Sequence, residues 1–204
     1  MIIVFLGNSG SGKDTACDYL VDKFNFQKVH PTDDLKTFLE RHWNLPVGSA
    51  SQNLFKNNIP VSQTSTYTLQ DIQLKLCSFL TAIDPEFTKY YLEETLRMAD
   101  FYDYCLTGVR FRHEVDVILE KFRETNLLFV HLKRDSSKAL KSDILLQDNI
   151  NHIKGNGFLV HELDNNGSIY DLEINMKKLM NETVRWLPFN RISLFNALLL
   201  SLIR

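Results

Sequence analysis

Residues 7–15 read GNSGSGKDT, and this stretch decides what kind of fold the chain can adopt. It follows the phosphate-binding pattern G-x-x-x-x-G-K-[ST], in which glycines turn successive backbone N–H groups toward phosphate oxygens and the lysine supplies a positive charge. The pattern requires an apolar strand before the loop and a helix after it, whose N-terminus also favours an anion. IIVFL (2–6) precedes the loop and an amphipathic stretch follows it, which weighs against an incidental Gly/Ser-rich turn. The predicted phosphate-binding residues are Gly7, Asn8, Gly10, Ser11, Gly12, Lys13, Asp14 and Thr15.

The loop departs from the pattern at Asp14, which stands directly after Lys13 where a hydroxyl is usual. In phosphoryl-transfer sites of this kind, that hydroxyl contacts Mg²⁺. A carboxylate can hold Mg²⁺ directly or through its water shell, so Asp14 and Thr15 are the candidate metal ligands. The alternative is that Asp14 only favours the positive N-terminus of the helix.

Strand and helix patterns alternate along the rest of the chain. Strands are predicted at 2–6, 26–30, 101–109, 126–132 and 157–163. Helices are predicted after the loop, from residue 33, near 69–82 and 85–99, and over 112–124, 136–147 and 168–184. This alternation predicts right-handed βαβ units and therefore an α/β protein, whose parallel five-stranded sheet has helices on both faces.

Ligands of such sheets bind beyond the carboxyl ends of the strands, so the residues after each strand are informative. After the second strand, TDDLK places Asp33 and Lys36 on one face of a helix, where the cation suits a phosphate on a small molecule. A helix N-cap beside a solvated lysine is the alternative. After the third strand, GVRFRHE places Arg110 and Arg112 at the start of a helix, and arginine suits bidentate contact with phosphate. The alternative for either arginine is an ordinary surface position.

A cationic stretch, KRDSSKALK (133–141), follows the fourth strand. Cations on a movable segment suit closure over a transferring phosphoryl group, with Arg134 nearest the strand, whereas a solvated helix is the alternative. The third strand ends differently from many phosphoryl-transfer sites, which place a metal-linked aspartate there. This chain has Gly108 at that position.

The bulk composition limits the classes of partner. The chain has 204 residues and a net charge of −2, which gives no reason to expect duplex nucleic acid or an anionic membrane as the main partner. No apolar run is long enough for a membrane span, and this includes the C-terminal segment ISLFNALLLSLIR (192–204). We predict for this segment a core or subunit-contact helix, through which a homodimer would form, with a membrane-surface or partner helix as the alternative.

The three cysteines, Cys17, Cys77 and Cys105, are far apart and show no metal-ligand spacing. This distribution favours buried, reduced thiols and a cytoplasmic protein.

The order of these motifs resembles that of the deoxynucleoside monophosphate kinases encoded by bacteriophages, a branch of the P-loop nucleoside monophosphate kinase fold. That family has G-x-x-x-S-G-K-D-T, an F-A-D-P-L-K-like stretch, D-V-R-F-x-N-E, a strand ending in a lid arginine, and an N-x-G-S turn into its last helix. This chain has GNSGSGKDT, PTDDLK, GVRFRHE, VHLKRD and LDNNGSIYDLE in the same order. It departs from the family at Asp34, Gly108 and His113, where the family has proline, aspartate and asparagine.

The resemblance implies a P-loop kinase domain over residues 1–184, with a helical acceptor-binding insertion at about 33–99 and a lid at about 134–156. The apolar tail, 185–204, lies outside it. The implied cofactors are ATP and Mg²⁺. The implied reaction moves the γ-phosphoryl group to the α-phosphate of a (deoxy)nucleoside monophosphate, in the host cytoplasm if the protein is phage-encoded.

The resemblance also implies roles for single residues. Lys13 would bridge the transferring group, Asp14 would help place Mg²⁺, and Arg134 would close over the transition state. The residues that would position the acceptor are Asp33, Lys36 and Arg110. Arg112 is a further substrate-binding candidate from its place after the third strand, not from the resemblance. A phosphate acceptor is already an anion, so catalysis needs positioning and charge neutralisation rather than a general base.

Two other functions stay open from sequence alone. A kinase of the same fold could phosphorylate a hydroxyl on a small metabolite or on a modified base in DNA. An alcohol must lose a proton, so that reaction needs a base such as Asp33. The third function is that of a non-catalytic nucleotide-binding or assembly protein, which Gly108 and the apolar tail suggest.

Overall fold

The computed structural model describes residues 1–50, 60, 62, 66–99, 101–122, 127–135 and 145–184. Its strands are β1 (Ile2–Leu6), β2 (Gln27–Val29), β3 (Tyr104–Leu106), β4 (Leu127–Lys133) and β5 (Val160–Asp164). The α-helices of the described ranges are α1 (Lys13–Phe24), α2 (Asp33–His42), α3 (Leu69–Ile83), α4 (Phe87–Thr95), α5 (Arg112–Lys121), α6 (Leu146–Gly155) and α7 (Ile169–Val184). A 3₁₀ turn, Leu96–Met98, follows α4.

The five strands form one parallel sheet in the order β2-β3-β1-β4-β5. β1 lies in the middle, and every one of its residues is buried, as its continuous apolar run predicts. Its register pairs Val4 with Leu106 of β3, and Leu106 also pairs with Val29 of β2. The predicted α/β fold with a five-stranded parallel sheet is therefore confirmed.

Helices cover both faces of the sheet, because alternate residues of β1 point to opposite sides. On one side, Ile2, Val4 and Leu6 pack with apolar residues of α4, α5 and α6. On the other side, Ile3 and Phe5 pack with apolar residues of α1 and α7. Both cores reach the end of β1 that leads into the glycine loop, through Leu6 on one side and Phe5 on the other.

The helices α2 and α3 pack on each other in a smaller third cluster that contains Leu35, Leu39 and Leu69. A capping box fixes the start of α3, since Thr68 and Asp71 exchange side-chain to backbone hydrogen bonds. The helical spacing of Leu35, Phe38 and Leu39 predicts that all three lie on one apolar face of α2. For Phe38 this prediction is wrong. Phe38 is 56% exposed and stacks on His42, because it lies at the edge of the face that α3 covers.

Several predicted boundaries change. β3 is shorter than 101–109 at both ends. Phe101 and Tyr102 donate their N–H groups to the carbonyl oxygen of Met98 in a turn, and Gly108 takes a φ of 76° and leaves the extended conformation. α6 was not predicted, and the predicted helix at 136–147 falls mostly outside the described residues. The segment 49–68, which is polar and predicted as a loop, also lies mostly outside the described residues. Lys138, Lys141 and the tail at 185–204 lie outside them entirely.

The three cysteines are free thiols, with Cys17 and Cys105 buried and Cys77 half-buried. None of the described helices combines the length and the apolar character that crossing a lipid bilayer requires.

We expect Phe129→Ala to lower the free energy of unfolding by about 3–5 kcal/mol. Phe129 is fully buried in β4 and meets Phe158 edge to face at 6.0 Å, so truncation leaves a cavity against the sheet. Urea unfolding measures the change. Phe101→Ala is the matched control, because Phe101 is 78% exposed and its loss should cost within about 0.5 kcal/mol. Equal costs for the two variants would contradict the position of β4 in the core.

Candidate functional site

The loop after β1 takes a conformation that only glycine adopts easily at several positions. Gly7, Gly10 and Gly12 have φ values of 142°, 80° and 97°. A β-carbon on Gly7 would lie 2.5 Å from the carbonyl oxygen of Leu132, and one on Gly12 would lie 2.2 Å from Nδ2 of Asn165. Backbone conformation and lack of space therefore both require glycine at positions 7 and 12.

Lys13 lies across this loop. Its Nζ donates to the carbonyl oxygens of Gly7 and Asn8 at 2.6 Å each. The ammonium group is therefore fixed at the loop itself, as contact with a bound phosphate requires. The predicted loop and its lysine lie together at the carboxyl end of the central strand.

A residue that follows the edge strand β5 also supports the glycine loop. The side chain of Asn165, directly after β5, is buried and donates from Nδ2 to the carbonyl oxygen of Ser11 at 2.8 Å. Ser11 is itself fully buried. The sequence analysis missed Asn165, although its place immediately after a strand was a signal that could have found it.

Asp14 is exposed at the start of α1 and makes two contacts through Oδ1. Nζ of Lys28 lies 3.1 Å away, and the hydroxyl of Thr107 donates at 3.2 Å. Partial desolvation raises the pKa of Asp14, but the ion pair with Lys28, together with His30 and Thr107, lowers that pKa overall. Asp14 is thus an anion at neutral pH. Lys28 was not predicted as a site residue, since its partners on α1 are distant in sequence.

The donors near the loop fit Mg²⁺ of the kind that kinases use. Mg²⁺ keeps several waters and is bound through one or two carboxylates plus substrate phosphates, so no cage made entirely of protein is expected. Within the described ranges, no group of three or more His, Cys, Asp or Glu side chains forms such a cage. Asp14 supplies an exposed carboxylate and Thr15, also exposed, supplies a hydroxyl.

The predicted pair after β2 is formed. Nζ of Lys36 lies 2.7 Å from Oδ1 of Asp33, and the backbone N–H of His30 donates to Oδ2 at 2.7 Å. Lys36 is largely buried, with 12% of its side chain exposed. This cation is therefore shielded from bulk solvent, which argues against a solvated lysine.

Arg110 is held through its backbone. The N–H groups of Arg110 and Phe111 donate to Oε2 of Glu114 at 2.7 and 3.0 Å, and Thr88 donates to Oε1 at 2.8 Å. Asn149 of α6 donates to the carbonyl oxygen of Arg110 at 2.7 Å. Burial raises the pKa of Glu114, and these hydrogen bonds oppose that rise.

Groups on α3 and α4 lie within range of the same charges. Burial raises the pKa of the Cys77 thiol, while the charges of Arg110 and Lys36 lower it. Burial also raises the pKa of Tyr91, and the negative charge of Asp33 adds to that rise. The cations after β2 and β3 are thus both within electrostatic range of one thiol on α3.

The other predicted residues lie further out. Arg112 is exposed on the first turn of α5, and Arg134 is exposed directly after β4. His113 stacks on Phe111 with ring centroids 5.6 Å apart, and its Nε2 lies 2.9 Å from the hydroxyl of Thr88. Its contacts therefore serve the packing of α5 against α4.

No family model and no curated protein matches the chain. Among solved structures, the unliganded structure of a sugar kinase from Janibacter sp. aligns with 17% identity and a TM-score of 0.43, covering 88% of this chain and 92% of that chain. We base no argument on a likeness this distant. The resemblance to phage deoxynucleoside monophosphate kinases stays a prediction.

We expect Glu114→Gln to remove part of the pH dependence of stability. A carboxyl whose pKa is raised on folding binds protons more readily in the folded state, so its contribution to stability falls as pH rises above the unfolded pKa. The variant lacks this titration. Its free energy of unfolding relative to wild type should therefore rise from about pH 4.5 to about pH 7.5 in urea unfolding.

Glu120→Gln on the same helix is the matched control, because Glu120 is exposed. A difference between Glu114→Gln and wild type that stays constant over this pH range would contradict the buried position of Glu114.

Proposed function

We propose that this protein is an ATP-dependent kinase that phosphorylates the phosphate group of a (deoxy)nucleoside monophosphate, giving the diphosphate. One observation carries the proposal. Cations suited to phosphate lie beyond the carboxyl ends of three adjacent parallel strands: Lys13 after β1, Lys36 after β2 and Arg110 after β3. Lys13 belongs to the glycine loop, which would hold the donor nucleotide, whereas Lys36 and Arg110 follow the two neighbouring strands and are both within electrostatic range of Cys77.

The chain's own residues bind and orient both substrates in this proposal. The glycine loop donates backbone N–H groups to the donor phosphates, and Lys13 contacts the transferring group. Bound Mg²⁺ would neutralise phosphate charge, and Asp14 and Thr15 would hold it through oxygen atoms or water. Lys36 and Arg110 hold the acceptor phosphate. Arg112 and Arg134 are exposed, and closure of the segments that carry them would bring them to the substrates.

The contacts of Asp33 favour a phosphate acceptor over a hydroxyl. A hydroxyl must lose a proton, and Asp33 is the residue that such a reaction would use. Both of its oxygens already accept hydrogen bonds, one from Lys36 and one from the N–H of His30. Asp33 therefore orients Lys36, and the two cations Lys36 and Arg110 suit an acceptor that is already an anion.

An ATPase assay coupled to product formation, with a panel of ribo- and deoxynucleoside monophosphates, tests the reaction directly. We expect turnover with at least one monophosphate and none with the corresponding nucleosides. Folded protein that binds ATP but turns over no monophosphate would contradict the proposal. If it instead self-associates through residues 185–204, the non-catalytic assembly function would be favoured.

We expect Lys36→Ala to raise the KM for the acceptor about 10-fold to 100-fold and to leave the KM for ATP unchanged, because it removes a charged hydrogen bond to the acceptor phosphate only. Steady-state kinetics with each substrate varied in turn measures both constants. Lys89→Ala is the matched control, since Lys89 makes the same kind of i,i+3 pair with Glu86, at 3.3 Å, on the surface. Equal effects of Lys36→Ala on both KM values would contradict an acceptor-specific role.

A further inference from the structure

The carboxylate of Asp14 is held by only one of its two oxygens. Nζ of Lys28 lies 3.1 Å from Oδ1, and the hydroxyl of Thr107 donates to the same oxygen at 3.2 Å. Oδ2 makes no hydrogen bond or ion pair with the residues that the structure describes, and the Asp14 side chain is 72% exposed. Since a carboxylate has about four acceptor positions, Oδ2 is available to a ligand at the start of α1.

Thr107 brings this carboxylate to the carboxyl end of β3. Thr107 follows Leu106, the last residue of β3, and is buried, with 1% exposure. Its backbone N–H donates to the carbonyl oxygen of Val29 on β2 at 3.0 Å, so its hydroxyl extends from a fixed backbone. The first turn of α1 and the end of β3 are therefore joined through Asp14.

Position 108 itself has no room for a carboxylate. A β-carbon on Gly108 would lie 2.1 Å from Nε2 of His30, and the φ of 76° at this position favours glycine as well. Phosphoryl-transfer sites often place a metal-linked aspartate near the end of this strand. In this chain, the carboxylate that is bound to the end of β3 comes from α1 instead.

Lys28 contacts the same oxygen of Asp14 from β2 and has a second partner. Its Nζ lies 2.8 Å from Oδ1 of Asp18, one turn further along α1. Because Asp18 keeps the ammonium group in place, Lys28 can stay where it is when Asp14 shares its charge with a metal ion. The positive charge of Lys28 also offsets the repulsion between Asp14 and the phosphates of a nucleotide.

We propose that Thr107 is a positioning residue, whose hydroxyl holds Oδ1 of Asp14 at the end of β3 and leaves Oδ2 for the Mg²⁺ of a bound nucleotide or for a water of that ion. This inference rests on the proposed function and adds the residue that orients its metal-binding carboxylate. Groups that orient a metal-binding side chain typically contribute about 10-fold to 100-fold to metal affinity. Thr107 acts on the nucleotide only through Asp14.

Binding of a non-hydrolysable ATP analogue, measured by calorimetry, tests this inference without turnover. We define the Mg²⁺ gain as the ratio of the dissociation constant of the analogue in EDTA to that in excess Mg²⁺. We expect Asp14→Asn and Thr107→Val each to lower the Mg²⁺ gain about 10-fold. Valine has nearly the shape of threonine, so Thr107→Val removes little besides the hydroxyl.

Three further variants separate orientation of Asp14 from a purely structural role. Thr107→Ser keeps the hydroxyl and should retain the wild-type Mg²⁺ gain. Thr88→Val is the matched control and should also retain it, because Thr88 is equally buried and its hydroxyl donates to another carboxylate, that of Glu114. In an Asp14→Asn background, Thr107→Val should have no further effect on the Mg²⁺ gain.

The outcomes separate this inference from the proposed function. A wild-type Mg²⁺ gain in Thr107→Val, or equal losses in Thr107→Val and Thr107→Ser, would overturn the role of Thr107 and leave the kinase proposal intact. A loss of the same size in the Asp14→Asn background would also overturn it, because Thr107 would then act by another route. Wild type that binds no analogue, with or without Mg²⁺, would contradict the proposed function and the inference together.

Thermal unfolding shows whether each variant is folded. If Thr107→Val does not fold, Asp14→Asn decides the matter, because Asp14 is exposed and its replacement leaves the core intact. An unchanged Mg²⁺ gain in folded Asp14→Asn would overturn the inference.

Discussion

The parallel pairing of β1, β3 and β2 is the constraint on which the site depends. Because Val4, Leu106 and Val29 lie side by side in the sheet, β2 and β3 end at one level, and β1 ends two residues further on, at Leu6. The residues that follow these three ends are the glycine loop, Thr107 with Gly108, and His30 with its turn. A slip of one residue in either pairing would exchange the two faces of a strand and separate these groups.

Buried polar groups turn this alignment into a rigid site. Glu114 is a carboxylate with 1% exposure, and its burial is costly, yet its three hydrogen bonds set the backbone of Arg110. Asn165 holds the glycine loop by donating a hydrogen bond to the carbonyl oxygen of Ser11, and Asp33 holds the ammonium group of Lys36. In each case a carboxylate or an amide holds a segment at the carboxyl end of the sheet, and Lys13, Lys36 and Arg110 are the cations that these segments carry.

The sequence predicted the parts of this arrangement that are local in the chain. The glycine loop, β1 and the Asp33–Lys36 pair follow from spacing within a few residues, and the structure forms each of them. Lys28 beside Asp14, Asn165 beneath Ser11 and His30 over Gly108 are contacts between distant segments, and no periodic pattern encodes them. Phe38 was misplaced for the same reason, since which part of α2 is covered depends on where α3 packs. The absence of an aspartate at position 108 was visible in the sequence. The imidazole of His30, which follows β2 and occupies the space of a side chain at position 108, was not.

We propose that the acceptor group is a phosphate. Phosphorus NMR of the product formed from ATP and the accepted monophosphate reports the bond that the transferred group makes. We expect the transferred phosphorus to be coupled to a second phosphorus, as in the phosphoanhydride of a nucleoside diphosphate. An uncoupled phosphomonoester signal, produced by transfer to a hydroxyl, would contradict it.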